Sequence, residues 1–393
     1  MNFNWPLQTD NFTLLDRLMI CGFVLNKRNQ LTMGPNVVEF EKELSIYSNV
    51  LCLMVSSGSS ANQLIFEIYK QKYPDKFKNS IVICPAVTWA SSISPALMLG
   101  YNIEFCDINL NDFCFDYEKL EIILFKHYRK DKNIIIWPTA LIGFCPNFDR
   151  LIGLANKYNA ELFCDCCENI LSNYCDQSIL SICKMSSIST FFAHQVTSIE
   201  GGFVFLKDEE DYILGKMIRN HGLTRSLGED NFHRINIELD NPTIDKKFLF
   251  GVLGTNFRST DLNAMFGLLD FKRVHQYKEF RKKIYKIYYD NLDKEKYYLP
   301  VYKEFDSQEF VAFCLTIFRK DNKMEEIKKR LNNIGIETRP IIGSNLVLQP
   351  PFKKYYKPME NAQWVHEHGF YIGLNNNLKE KDILNLCWEL NNI

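Results

Sequence analysis

Short apolar runs alternate along the chain with segments whose apolar residues return every three or four positions. Cys52-Leu53-Met54-Val55, Ile81-Val82-Ile83-Cys84, Ile103-Glu104-Phe105-Cys106-Asp107, Ile134-Ile135-Ile136-Trp137 and Glu161-Leu162-Phe163-Cys164-Asp165 read as strands. Val37, Val38, Phe40, Leu44 and Tyr47 fall near helical spacing, as do Leu151, Leu154, Ala155 and Tyr158, and a further helix is expected to begin near Ala61. Buried strands alternating with helices predict a mainly parallel sheet with helices on both faces. A strand-like run, Ser189-Thr190-Phe191-Phe192-Ala193, ends at His194, and Glu200-Gly201-Gly202 turns the chain into a second run, Phe203-Val204-Phe205. Farther on, Leu262, Met265, Leu268 and Leu269 mark a helix, and Tyr277, Phe280, Ile284 and Tyr288 a longer one dense in Lys and Arg. The strand Phe310–Ile317, an amphipathic helix and Ile336-Glu337-Thr338-Arg339-Pro340 then read as a small α/β domain. The expected division is 1–270 for an N-terminal arm and large domain, and 271–393 for the bridging helix and small domain.

Composition narrows this picture without redirecting it. With 393 residues, 46% of them hydrophobic, the chain can bury more than one core. Forty-six Lys and Arg against 47 Asp and Glu leave a net charge of -1, which offers no global attraction for nucleic acid or an acidic membrane surface. An anionic ligand must therefore be gripped by local groups. The N-terminus, Met1-Asn2-Phe3-Asn4-Trp5-Pro6, lacks a basic and apolar leader pattern, and no apolar run is long enough to span a bilayer, so a cytoplasmic location is expected. The 13 cysteines then read as reduced thiols.

Four features carry candidate chemistry. Ser56-Ser57-Gly58-Ser59-Ser60-Ala61-Asn62 turns from strand to helix with small residues, which suits either ordinary capping or an anion cradle at Gly58 and Ser59. Asp165 ends an apolar strand, where it serves as a helix cap or meets a cation. Cys164, Cys166, Cys167 and Cys175 invite a metal, but neighbours on a strand point to opposite faces and no C-x2-C pair with a matching partner occurs, so no metal is assigned. His194 is either a hydrogen-bonded structural histidine or a group that moves protons near neutral pH.

Ser189, His194 five positions later and Glu200-Gly201-Gly202 close behind resemble the active-site strand of the DegT/DnrJ/EryC1/StrS family of sugar-nucleotide aminotransferases, with histidine where that family has its cofactor lysine. The Ser-Gly-Ser loop, Asp165 and Asn256-Phe257-Arg258-Ser259-Thr260-Asp261 extend the resemblance, in order, over nearly the whole chain. It implies a fold-type I, aspartate aminotransferase-like architecture: a large domain with a mainly parallel seven-stranded sheet, plus a small C-terminal α/β domain. It further implies pyridoxal 5'-phosphate (PLP) held by Gly58, Ser59, Trp89, Asp165, Glu168, Ser189 and Asn256, with Trp89 stacking on the ring and Asn256 reaching a neighbouring subunit's phosphate. That last contact implies a homodimer with shared sites. Arg339 and Asn345 match positions facing the substrate. Arg219 and His221 complement a helix C-terminus or belong to a substrate-covering loop that runs to about residue 250.

An imidazole cannot take the lysine's covalent place, yet it can still move protons. The histidine resembles that of the family's 3-dehydratases, which implies conversion of PLP to pyridoxamine 5'-phosphate (PMP) by L-glutamate. It also implies loss of the C3 hydroxyl from a nucleotide-linked 4-keto-6-deoxy sugar, with GDP the expected nucleotide, in surface polysaccharide synthesis. Two alternatives stand beside this reading: an iron–sulfur, reductase-coupled CDP-sugar 3-dehydrase, disfavoured by the absence of cysteine between Cys183 and Cys314, and a non-catalytic binder of PLP or a sugar nucleotide.

Overall fold

A computed structural model describes residues 3–227, 243–300 and 309–393. The first two residues of the arm lie outside them, as does 228–242, which makes up much of the expected substrate-covering loop. Seven strands, β1 (Leu51–Val55), β2 (Ser80–Pro85), β3 (Asn102–Cys106), β4 (Asn133–Ile136), β5 (Glu161–Asp165), β6 (Met185–Ser189) and β7 (Gly202–Leu206), form one sheet in the order β1-β7-β6-β5-β4-β2-β3. The run from β6 to β3 is parallel, and β7 pairs antiparallel with both β6 and β1. The sheet is thus mainly parallel and seven-stranded, as expected.

Strand alternation explains why both faces are apolar. Cys52, Met54, Ile81, Ile83, Ile134 and Ile136 point into one hydrophobic cluster, while Leu53, Val55, Val82, Cys84 and Ile135 point into another on the opposite face. Helices at Pro35–Ser48 and Phe148–Lys157 cover the first, and those at Gly58–Lys72 and Ala90–Met98 the second. A smaller antiparallel sheet, ordered β8-β9-β11-β10, comprises β8 (Tyr297–Tyr298), β9 (Cys314–Arg319), β10 (Thr338–Pro340) and β11 (Gly369–Gly373). Its core takes Trp5 from the opposite end of the chain, where the indole Nε1 donates to the Gly373 carbonyl at 2.8 Å.

Three boundaries differ from the sequence reading, one of them in the small sheet, where the strand expected over Phe310–Ile317 begins only at Cys314. The helix expected near Ala61 starts at Gly58, because Ser57 is extended and its Oγ accepts from the Ser60 amide at 3.1 Å. The strand expected to run through Ala193 ends at Ser189. Thr190 closes it: its amide donates to Gly201, its carbonyl accepts from Ser198, and the two side-chain hydroxyls pair at 2.6 Å. His194 therefore sits inside a loop, not at a strand end.

Candidate active site

Parallel strands deliver their carboxyl ends to one edge of the sheet, and a crevice opens there. A cleft of about 590 Å³ occupies it, lined by Ser57, Gly58 and Ser59 after β1, Thr88 and Trp89 after β2, Thr139 after β4, Asp165 at the end of β5 and Ser189 at the end of β6. The small domain closes it with Phe313, Arg339 and Tyr371.

Asp165 is 3% exposed, so its carboxylate depends on donors. Oδ2 accepts from Asn62 Nδ2 at 2.9 Å and Oδ1 from the Cys167 amide at 2.9 Å. Asn62 is itself fixed, donating to Ser91 O and accepting from Ser187 Oγ. Glu168 also lines the cleft, where burial pushes its carboxyl up to about 8 against the pull of the Ile142 amide, which donates to Oε2 at 2.8 Å; the Asp165 charge pushes the same way as burial.

Gln195 pins the loop that carries His194. Its Oε1 accepts from the Ile170 amide and its Nε2 donates to Val311 O, both at 3.0 Å. Two residues on, the Thr197 amide donates to the buried Asp270 carboxylate at 2.9 Å. The imidazole lies edge-on to Phe313 and Phe191, with ring centroids 5.3 and 5.8 Å away. Its Nδ1 is enclosed with no hydrogen-bond partner, and burial, with the Arg281 charge adding, lowers its pKa to about 4. The result is an uncharged imidazole at the wall of the cleft.

These residues fit pyridoxal phosphate. The first-turn amides of the Gly58–Lys72 helix have no intrahelical carbonyl to meet, which suits a phosphate. A Cβ on Gly58 would come within 2.7 Å of Ser189 Cβ and 3.0 Å of Cys167 Sγ, so only glycine allows this close approach of loop to strand. The buried carboxylate of Asp165 suits a protonated pyridine nitrogen, and the indole of Trp89, 59% exposed, offers a ring face.

The sequence profile of the DegT/DnrJ/EryC1/StrS aminotransferase family matches residues 24–391. The chain belongs to that family. Within it, the chain is 27% identical over 379 residues to the GDP-4-keto-6-deoxy-D-mannose 3-dehydratase of Escherichia coli O55:H7, covering 94% of this chain and 95% of that one. It is 28% identical over 354 residues to the Yersinia pseudotuberculosis enzyme of the same name, covering 88% of each. Among solved structures, E. coli GDP-4-keto-6-deoxy-D-mannose-3-dehydratase with bound hydrated PLP matches with TM-score 0.89 and 24% identity over 99% of this chain and 100% of that one. A GDP-4-keto-6-deoxymannose-3-dehydratase with a trapped PLP-glutamate geminal diamine matches at 0.87 and 26% identity, over 98% and 100%.

Not every expected site residue of this family member reaches the cleft. Gly58, Ser59, Trp89, Asp165, Glu168, Ser189, His194 and Arg339 line it, and Arg339 also pairs with Glu337. Arg219 does not: it is buried, paired with Glu41 and donating to Met54 O at 2.7 Å, so it braces β1. Asn345 is also buried elsewhere, with Nδ2 3.4 Å from Gln363 Oε1 and its own Oδ1 unpartnered. His221 and Asn256 are exposed on a neighbouring surface, where the His221 amide donates to Thr255 O and Asn256 Oδ1 accepts from Arg258.

Other cleft residues carry little or no local signal. Asn62 stands four residues after Gly58, a spacing that returns it to the same helix face, and this spacing marks it in the sequence. Phe313 and Tyr371 come from distant sequence, and nothing local marks them. Cys164 and Cys166, expected to diverge, share a face with their sulfurs 3.4 Å apart, because alternate strand positions point the same way; Cys167 turns to the cleft. Among the described residues no group of His, Cys, Asp and Glu could hold a metal, and no helix is long and apolar enough to cross a membrane.

Proposed function

We propose that this chain is a PLP- and PMP-dependent C3-dehydratase of a nucleotide-linked 4-keto-6-deoxy sugar, with GDP-4-keto-6-deoxymannose or a close analogue as substrate and L-glutamate as amino donor. The observation that carries the reading is His194. An unpaired, uncharged imidazole faces the cleft where the family's lysine is expected, while the buried acid and phosphate cradle are retained. In the overall reaction the C3 hydroxyl is lost and its carbon reduced, glutamate is oxidised to 2-oxoglutarate, and the glutamate nitrogen leaves as ammonia. When bound, the cofactor supplies an amine for the C4 ketone and a conjugated ring that accepts electrons.

Within that scheme Asp165 holds the pyridine nitrogen protonated. The amides of Gly58 and Ser59 hold the phosphate, and Trp89 covers one ring face. His194 takes the proton from the cofactor's C4' carbon and delivers one to the departing C3 oxygen, a role generally worth roughly 10²- to 10⁴-fold in rate. We further propose a cytoplasmic homodimer acting in surface polysaccharide synthesis, O-antigen or capsule, in which Asn256 and His221 serve the partner's cleft. Their exposure, with the exposed Phe250 and Leu253 in the segment packed beside His221, supports this.

The test is spectroscopic. Purified protein with PLP and L-glutamate is expected to change from the PLP to the PMP spectrum with release of 2-oxoglutarate. Added GDP-4-keto-6-deoxymannose should then yield ammonia equal to deoxygenated product, and His194→Asn should lose that ammonia at least 100-fold. An unchanged spectrum would sink the proposal.

A further inference from the structure

Arg281, on the helix Val274–Asn291, is 2% exposed, and among the described residues no carboxylate forms an ion pair with it. A buried guanidinium without a counter-charge is costly unless the fold uses it. Its NH1 donates to the carbonyls of Ala312 at 3.0 Å and Phe313 at 2.9 Å, and its Nε has no partner. Those carbonyls belong to a short strap, 311–313, that is tied on its other side to the active-site loop: Gln195 Nε2 donates to Val311 O, and the Phe313 ring stands edge-on to His194. The strap therefore lies between a buried cation and the imidazole.

We propose that Arg281 is a positioning residue for His194: with no carboxylate ion-paired to it, its charge faces the imidazole across the strap, and its grip on the Ala312 and Phe313 carbonyls holds the Phe313 edge against the ring. The other charged and titratable groups around the imidazole have partners of their own, and of these the Asp270 charge also acts on Arg281, favouring its charged form. Asp165 is bonded to Asn62 and the Cys167 amide, and Glu168 to the Ile142 amide. Cys167, Glu200, Arg339 and Tyr371 line the same cleft, and none of them hydrogen-bonds to the enclosed Nδ1. Asp270, in the element beneath the loop, is bonded to the Thr197 amide and the Tyr277 hydroxyl, and Cys314 beside Arg281 is a thiol kept protonated by burial. Burial and the Arg281 charge act on His194 in the same direction, and burial likewise lowers Arg281 itself to about 10, leaving it charged at neutral pH.

The proposal deepens the reading of His194 as the proton-carrying group and rests on it, but its test involves no turnover. The ¹³Cε1 resonance of His194 in histidine-labelled, cofactor-free protein, assigned by its loss in His194→Asn, is followed from pH 4 to 9. The wild-type midpoint is expected at least one unit below the ordinary value of about 6.5. Arg281→Gln keeps donors for both carbonyls and removes the charge, so it should raise the midpoint by about one unit, a tenfold change in proton affinity. Arg281→Lys should leave it low. A wild-type midpoint in the ordinary range overturns the proposal, as does a folded Arg281→Gln protein whose midpoint stays put. Should Arg281→Gln not fold, Arg281→Met, which fills the same space without a charge, takes its place with the same expected rise and the same overturning result. Failure of the ammonia assay would leave this result standing, and failure here would leave that assay untouched.

Discussion

Two acids 3 residues apart, Asp165 and Glu168, meet different hydrogen-bonding surroundings in one cleft. Asp165 receives two hydrogen bonds, whereas Glu168 receives one backbone donor and is otherwise dominated by burial, which takes its carboxyl to about 8. The consequence for stability has a definite sign. Between pH 4.5 and 8 the folded protein keeps a proton on Glu168 that the unfolded chain has released, so the contribution of this group is complete below about 4.5 and is lost as pH rises through about 8. Glu168→Gln removes the titration. Thermal unfolding of the cofactor-free protein should therefore find the variant equal to wild type at pH 5 and more stable at pH 8.5, by something on the order of 2 kcal/mol after allowance for partial exposure. A difference independent of pH would mean that Glu168 is ionised in the fold. The chemistry of such residues is partly legible in the sequence: His194, Asp165 and Glu168 stand out as polar groups beside apolar runs or as departures from a family pattern. Their partners are not, because Phe313 and Tyr371 reach the cleft, and Arg281 the strap behind it, only through tertiary packing, which no local spacing records.

At the level of elements, the strands of the large sheet are readable because each is a short apolar run, and the errors fall where side chains override the pattern. Thr190 ends β6 in the middle of an apolar run by pairing with Ser198, and Ser57 starts a helix three residues early by capping it. The phosphate cradle itself depends on a contact between elements. A Cβ on Gly202, at the start of β7, would lie 2.5 Å from the Ser57 carbonyl group and 2.6 Å from the Gly58 amide nitrogen, all backbone atoms that cannot step aside. Gly202→Ala should cost about 2 kcal/mol and weaken PLP binding at least tenfold, read by equilibrium dialysis. Gly153 provides the control: it is an exposed helical glycine with open space around it, and Gly153→Ala should stabilise by roughly 0.5–1 kcal/mol without changing PLP affinity. Equal effects of the two alanines on PLP binding would mean that the cradle does not depend on this contact.

For the whole molecule, the distribution of exposed apolar surface is uneven in a way the composition could not reveal. Leu14, Leu15, Leu18 and Leu25 are each at least 60% exposed on one N-terminal helix, and Leu253, at 85%, lies within a few residues of Asn256. In the proposed two-fold dimer this surface would be the part covered. If the partner supplies Asn256, as proposed, each working site combines His194 from one chain with Asn256 from the other. Complementation tests this directly. His194→Asn and Asn256→Ala should each lose most ammonia release when purified alone. Co-expressed, the two chains pair at random, half the dimers are mixed, and each mixed dimer has one site with both residues intact, so about a quarter of wild-type activity should return. Were Asn256 to serve the cleft of its own chain, every site in the mixture would carry one lesion and no activity would be recovered. Recovery by co-expression therefore requires the partner arrangement, and it does so without any appeal to the apolar surface that suggested it.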